Sequence, residues 1–487
     1  MDNKIKDLEQ FNSQHLFVID FSAVVNVESP DELNKLTEYI LQADIKVAVT
    51  REFYENYDVI VKSLNEEQVA IAEMTAVFLE NLEKNECLLY MSDIVDSREI
   101  VEKLNKNPKV CFVYYKNSEF SENVLNAKDT MCAKAIIVDD DGNFVVCKDV
   151  GNVAELTTKV IDESAEDDDY FVTSFEPCEG APVKTRTGEI YTLGKQLGSG
   201  GEGAVYECDK SPDYVIKIYH KGQLNKLRLK KIFIMEKKQV RYDGLCWPEK
   251  VIFSEKGEPV GYMMKKIKGK PLSAIFDGDE AVLKEFPHWK KQDLISLAVD
   301  LLQKVQYLHL FGILVGDLRL KNIVIEEDGT PCLVDIDSCQ IDTLPCPIGF
   351  PDFTPPELQK IEFKKQLRTY YNESFSCSVL VFKLLFCGIH PYNQKFGNGS
   401  LEEYISSKSF PYPETITGDF SRIPWGCYEE AWKHMPFQMQ TFFNDIFKKG
   451  YRYNIQEMIL MLKTYNEFLD LKKEAVPSLN EISFYYE

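Results

Sequence analysis

The chain has 487 residues, 44% of them hydrophobic and 28% charged, with a formal net charge of −22, the make-up of soluble globular domains, roughly two to four at this length. Such acidity argues against binding of nucleic acid or an anionic membrane by the chain as a whole, a local basic patch aside. The 13 cysteines are odd in number and form no C-x-x-C pair, and the first residues, MDNKIKDLEQFNSQHLFVID, hold no signal-peptide core, so the reading is of reduced thiols in a cytoplasmic protein, with Cys332, Cys339 and Cys346 at no metal spacing.

In chain order, five short β-rich runs come first: LFVID (16–20), KVAVT (46–50), CLLYM (87–91), VCFVYY (110–115) and KAIIV (134–138). Helical stretches alternate with them, such as SPDELNKLTEYILQAD, which opens on a Ser/Pro/Asp start signal. Alternation of this kind implies a parallel sheet covered by helices. VDDDGNFVVC adds a hairpin with Asp141 and Gly142 in its turn. The seam follows: Glu163, Glu166, Asp167, Asp168 and Asp169 crowd together before Pro and Gly, and like charges in a row repel and solvate, as a linker does. Beyond it the order changes. Strand-like YTLGKQLGSG, GAVYEC, YVIKIYH and VIFSEKGEPVGYMMKKI precede a mainly helical remainder from about residue 279, which suggests two lobes with a cleft. FSCSVLVFKLLFCGI, from Phe375, is broken by Lys383 and too short to span a bilayer, so it reads as a buried helix. The expected divisions are an α/β domain at 1–158, an acidic linker at 159–185, a second domain at 186–470 and a tail at 471–487.

LGSGGEGAVYEC contains G-x-G-x-x-G-x-V, with Gly198, Gly200, Gly203 and Val205. Glycines there let backbone amides approach phosphate oxygens, though a plain turn has the same look. Lys217 lies in the strand-like YVIKIYH, and Glu236 follows in the helical KKIFIMEKKQ. Further on, VGDLRLKN carries Asp317 and, five positions later, Asn322; Asp335 stands in CLVDIDS, and Pro355-Pro356-Glu357 comes after it. In order and spacing this set resembles the protein kinase signature over about residues 186–470. Later matches agree: ESFSCSVLVFKLLFCGIHPY looks like the buried helix of the family's larger lobe, and Arg452 in GYRYNIQEM would pair with Glu357. The departures are Val315-Gly316-Asp317 for H-R-D, Asp335-Ile336-Asp337 for D-F-G, Glu373 for an aspartate, and Arg319 for a lysine. With GFPDFTPPEL they resemble bacterial kinase-like proteins associated with tellurite resistance and stress operons.

The resemblance implies an α+β bilobal protein kinase fold preceded by an α/β, Rossmann-like or PIN-like domain. It implies ATP and Mg²⁺ as cofactors and serine/threonine-type transfer to a protein substrate. Lys217, steadied by Glu236, would hold the α- and β-phosphates. Asp335 and Asn322 would hold magnesium, Asp317 would take the substrate hydroxyl's proton, and Arg319 would keep positive charge near the γ-phosphate. If the segment is extended, Asp335 and Asp337 point to one side and both could reach metal; the other reading makes Asp337 a loop carboxylate capping backbone amides. Gly316 has no charge to receive a phosphate, so activity should not need phosphorylation of Ser338, Thr343 or Thr354.

In the first half, Asp20, Glu52, Glu55, Asp93, Asp96, Asn117 and Glu119 sit at or just after strand ends, a layout similar to PIN-type ribonuclease domains that gather Mg²⁺ or Mn²⁺. Tyr115-Lys116-Asn117 departs from it, with an amide where a late acid is expected, and solvated surface acids would give the same pattern. The leading reading is an ATP-dependent protein kinase with an N-terminal regulatory or targeting domain and no membrane partner. The alternatives are a nucleotide-binding pseudokinase scaffold and a metal-dependent ribonuclease controlled by the kinase-like half, the one case in which nucleic acid would be a partner.

Overall fold

A computed structural model describes residues 6–475, apart from 63–65, 95, 148–150, 152, 154–169, 172, 239, 278, 416 and 427. The acidic run Glu163 to Asp169 therefore lies outside the described residues, as do 476–487 of the expected tail. The chain divides into two compact units, Met1–Val160 with Gln306–Ile313, and Ile161–Val305 with Leu314–Glu487.

The first unit is built on a six-stranded sheet of order β3-β2-β1-β4-β5-β6. Its strands are β1 (Leu16–Ile19), β2 (Lys46–Thr50), β3 (Leu88–Met91), β4 (Val110–Tyr115), β5 (Lys134–Val138) and β6 (Phe144–Cys147). The first five are parallel to their neighbours, and β6 returns antiparallel to β5. Parallel neighbours need crossovers, supplied by α1 (Phe21–Val25), α2 (Pro30–Gln42), α3 (Arg51–Lys62), α4 (Glu66–Lys84), α5 (Ser97–Leu104) and α6 (Glu119–Asn126). Helix α2 begins with Pro30 in its first turn beside Asp31 and Glu32, and buries Leu33, Leu36, Thr37 and Ile40 along one face, the spacing of a helix lying on a sheet. Every residue of β4 is buried, as a central strand covered on both faces requires. The β5–β6 turn does contain Gly142, at φ +77°, and a Cβ there would lie 2.1 Å from the Glu28 amide nitrogen.

The second unit opens with a closed barrel of order β10-β12-β11-β7-β8-β9. It comprises β7 (Pro182–Thr185), β8 (Ile190–Ser199), β9 (Gly203–Cys208), β10 (Tyr214–Tyr219), β11 (Lys250–Ser254) and β12 (Pro259–Lys265). Strand β7 falls inside the stretch expected to be linker: it is four residues long and begins on a proline, a weak strand signal. Alternation along β10 sorts its side chains. Ile216 and Ile218 pack in the barrel core, while Val215 and Tyr219 join a second cluster with Tyr262 of β12 and Ile232 of α7 (Lys226–Lys238). Lys217 shares the parity of Val215 and Tyr219, so it points to the α7 side.

The rest of this unit is mainly helical. It includes α8 (Lys291–Leu310) up to Val305, α9 (Tyr370–Leu385) and α10 (Ile455–Ala475). A small sheet joins β13 (Gly269–Pro271), β14 (Ile323–Glu326) and β15 (Pro331–Leu333). Helix α10 continues past 470, where a tail was expected. Helix α9 is the buried element anticipated from FSCSVLVFKLLFCGI; its N-terminus is a capping box of Thr369 and Asn372. Among the described residues no helix is long and apolar enough to cross a membrane, and all twelve described cysteines are free thiols.

Candidate active site

The candidate side chains of the second unit come from four pieces of chain: the β8–β9 turn, β10, the loop before β14 and the loop after β15. In the β8–β9 turn the Gly200 amide donates to the Gly203 carbonyl at 2.9 Å. Gly198 and Gly200 border open space, where a Cβ would meet nothing within 4 Å and only the Gly203 carbonyl at 4.0 Å, respectively. Gly203 is different. It lies in β9, and a Cβ there would stand 2.4 Å from the Ile218 carbonyl oxygen. Its glycine is demanded by strand packing, whatever its amide does for a ligand. Val205 is half-buried and packs on the cluster that holds Tyr219 and Tyr262.

Lys217 is 4% exposed. Its ammonium lies 3.0 Å from Asp335 Oδ1 and 2.9 Å from Asp337 Oδ1, with Glu202 at 4.0 Å. The expected partner, Glu236, is not among its contacts. Glu236 accepts instead from the Val251 amide at 3.0 Å and pairs with Arg186 at 3.3 Å. The reason is helical phase. Lys231, Ile232 and Met235 of α7 are buried, and Lys231 and Arg228, three apart on one face, are the side chains of this helix that meet the residues around Asp335. Arg228 reaches Glu202 at 2.6 Å and Asp337 at 3.9 Å. Lys231 donates to the carbonyls of Ser338 and Pro345 at 3.0 and 2.5 Å. Glu236 lies roughly 100° around the helix from the middle of that face.

Asp335 and Asp337 also part company. Asp335 sits in the left-handed region at φ 54° and opens a short 3₁₀ turn, Ile336–Ser338. The segment is not extended, and although both carboxylates reach Lys217 their surroundings differ. The Asp335 side chain is 56% exposed, while that of Asp337 is 1% exposed. Asp337 accepts from the hydroxyls of Tyr262 at 2.9 Å and Tyr219 at 2.6 Å besides Lys217. Burial alone would raise its pKa, but the cations Lys217 and Arg228 and the tyrosine hydrogen bonds hold this carboxyl far below the usual carboxylate range. With both oxygens engaged inside protein, Asp337 does not fit the expected metal-ligand role; nor does it cap backbone amides.

Asp317 is 6% exposed. Asn322 donates from its amide to the Asp317 carboxylate at 2.8 Å and to its carbonyl at 3.0 Å, and Arg319 lies 3.1 Å away. Burial pushes the Asp317 carboxyl up to about 6, against the pull of Arg319 and Asn322. A carboxylate that titrates near neutrality beside a cation is suited to taking a proton from a hydroxyl. The Arg319 guanidinium stacks 3.8 Å from the Phe350 ring centre. The loop is anchored beneath by Glu373 of α9, which accepts from the Gly316 amide at 2.6 Å. Glu357 and Arg452 form the expected pair at 3.0 Å.

Asn322 and Asp335 present the hard oxygen donors that Mg²⁺ takes. The Asn322 carbonyl receives the Val334 amide at 2.9 Å, which brings its backbone beside the residue before Asp335. Among the described residues no three acidic, His or Cys side chains gather as a ready metal cage. One carboxylate and one amide leave most ligands to water and phosphate, which is how Mg²⁺ usually binds alongside a nucleotide.

Several residues here were not singled out from the sequence. Tyr219 was findable as the same-face neighbour of Lys217, two residues on. Tyr262, Arg228 and Lys231 needed the fold. So did Arg368, which is 6% exposed and binds the carbonyls of Cys346, at 2.8 Å, and Ile348. Its backbone is clamped to the Gln340 side chain by two further hydrogen bonds of 2.7 and 2.8 Å.

In the first unit, Asp20 caps α1 and accepts from the Ser22 amide at 3.0 Å. Glu52 accepts from the Ser97 amide at 2.7 Å, and Asp96 caps α5. Burial, then the charges of Glu119, Asp96 and Asp20, raise the Glu52 carboxyl well above the usual range. Glu55 turns to Arg51 at 2.9 Å, Asn117 donates to Asp140 at 3.0 Å, and Asp93 is exposed. The set is a subset of the expected acids.

No family model matches the chain. It is 34% identical over 219 residues to Protein kinase YegI of Escherichia coli (strain K12), covering 43% of this chain and 34% of that protein. Against Protein kinase YegI of Escherichia coli O157:H7 it is 34% identical over 217 residues, 43% of this chain and 33% of the relative. The match thus spans about a third of the length of these curated relatives, and over that stretch the chain is similar to proteins named as kinases.

Proposed function

We propose that the second unit transfers the γ-phosphoryl group of ATP to serine or threonine hydroxyls of proteins, with Mg²⁺ as cofactor. The observation that carries this is the meeting of a buried strand lysine, Lys217, with Asp335 at 3.0 Å, in the same unit as the Asp317–Asn322–Arg319 loop. Similarity to proteins named as kinases supports it. Lys217 would steady the nucleotide's phosphates, with amides of the Gly198–Gly203 turn beside them. Asp335 and Asn322 would hold Mg²⁺, whose charge offsets the negative charge spread over the moving group. Asp317 would orient the hydroxyl and take its proton. Arg319 would keep positive charge near the reacting phosphate and, at 3.1 Å from Asp317, favour its ionised form. The first unit would serve as a regulatory or targeting module.

The test is to incubate the full chain with ATP radiolabelled at the γ-position, Mg²⁺ and a generic protein substrate, and then hydrolyse the product to phosphoamino acids. Label on serine or threonine, lost with chelator or in Asp335→Ala, is expected. Label on tyrosine alone would overturn the specificity, and no Mg²⁺-dependent label would overturn the reading.

A further inference from the structure

Lys217 has two strong acidic neighbours at nearly equal distance, and they differ in every other respect. Asp335 is half in solvent and has a second oxygen with no hydrogen bond among the described residues. Asp337 is enclosed, with Tyr219 and Tyr262 donating to its two oxygens and Arg228 3.9 Å away. Helix α7 offers Lys217 no acid. It offers cations instead: Arg228 toward Asp337 and the Glu202 carboxylate, and Lys231 toward the carbonyls of Ser338 and Pro345.

We propose that Asp337, not Glu236, is the residue that positions Lys217 for nucleotide, so that Asp335 is released to bind Mg²⁺. This rests on the phosphotransfer reading above. The physical argument is competition. Lys217 and Mg²⁺ are both cations that seek Asp335. A second carboxylate, fixed by two tyrosine hydroxyls and kept from solvent, holds the ammonium when the metal claims Asp335. Without that carboxylate, Asp335 becomes the nearest anion to Lys217, with Glu202 farther off at 4.0 Å, and Mg²⁺ must displace the ammonium in order to bind. The arrangement inverts the polarity expected from the sequence: the helix supplies the cation and the segment after β15 supplies the acid. Asp337 is thus a positioning residue. It acts through Lys217.

Calorimetric binding of ATP at a series of Mg²⁺ concentrations tests this without requiring turnover, on the full chain and its Asp337→Asn, Glu236→Gln and Lys217→Gln variants. For Asp337→Asn the expected result is a rise of about tenfold in the Mg²⁺ needed for half-maximal ATP binding, a shift that loss of packing alone would not produce. Glu236→Gln should leave both the Mg²⁺ midpoint and the ATP affinity within about twofold of the parent. An unshifted Mg²⁺ midpoint in folded Asp337→Asn would overturn the proposal. If Asp337→Asn does not fold, Glu236→Gln decides: weakening as large as that of Lys217→Gln overturns the assignment, and near-parental binding upholds it. A parent chain that binds Mg·ATP yet transfers no phosphate would defeat the kinase reading while leaving this comparison intact.

Discussion

Asp317 is pulled in two directions. Burial favours its neutral form, while Arg319 and Asn322 favour the carboxylate, and the balance stands at about 6. A general base must be ionised, so kcat/KM should fall roughly tenfold per pH unit below that value and level off above it. Arg319→Gln removes the largest opposing influence and should move this acid limb to higher pH; a limb that stays put would separate Arg319 from Asp317. Gly316 has no side chain with which to receive a phosphate. The structure adds that no larger residue fits: φ is +69°, and a Cβ would lie 2.7 Å from Cys346 Cβ. Gly316→Ala should cost about 2–4 kcal/mol in urea unfolding, and a cost below about 0.5 kcal/mol would refute that packing. Glu52 supplies a pH dependence in the first unit. Its carboxyl binds its proton more tightly folded than unfolded, so stability should fall as pH rises from its unfolded value through its raised folded one. Glu52→Gln should flatten that fall in thermal melts followed upward from about pH 4, the range of an ordinary glutamate.

Among the elements, strands were the most legible. Alternation and β-branched runs marked β1, β2, β4 and β5 within a residue, because each is short, apolar and bounded by polar turns. Strand β7 was lost in a stretch whose acid, Pro and Gly content dominates a four-residue signal. At the site, order and spacing along the chain singled out Lys217, Asp317, Asn322 and Asp335, and Lys217 lies on a strand as read. They failed where side-chain direction decides. Glu236 lies on α7 but turns to Val251 and Arg186, and Asp337 lies in a 3₁₀ turn, not an extended segment. Arg368 shows the same limit, since nothing in RTYYNES announces a guanidinium bound to the carbonyls of Cys346 and Ile348. These contacts hold the segment after β15 by backbone carbonyls rather than by a phosphate. Phosphatase-treated protein should therefore keep its activity, and Arg368→Met should lose about tenfold or more, two charge-assisted hydrogen bonds being worth that much. Loss of activity on phosphatase treatment would contradict this role.

For the whole molecule, the first half alternates strands with helices and the second runs from strands to helices, and the chain divides into two units. Strand order was not legible: that β1 lies between β2 and β4 depends on crossover geometry, which leaves no local mark. The consequence is that Asp20, Glu52, Asp96 and Glu119 all follow the carboxyl ends of neighbouring strands, while Glu55 pairs with Arg51 and Asn117 with Asp140. The central claim concerns the second unit, and one measurement addresses it most directly: transfer of label from γ-radiolabelled ATP in Mg²⁺ by the full chain, beside Asp317→Asn. The account predicts transfer by the parent and a loss of roughly a hundredfold to ten-thousandfold in the variant. Equal transfer by both would contradict it.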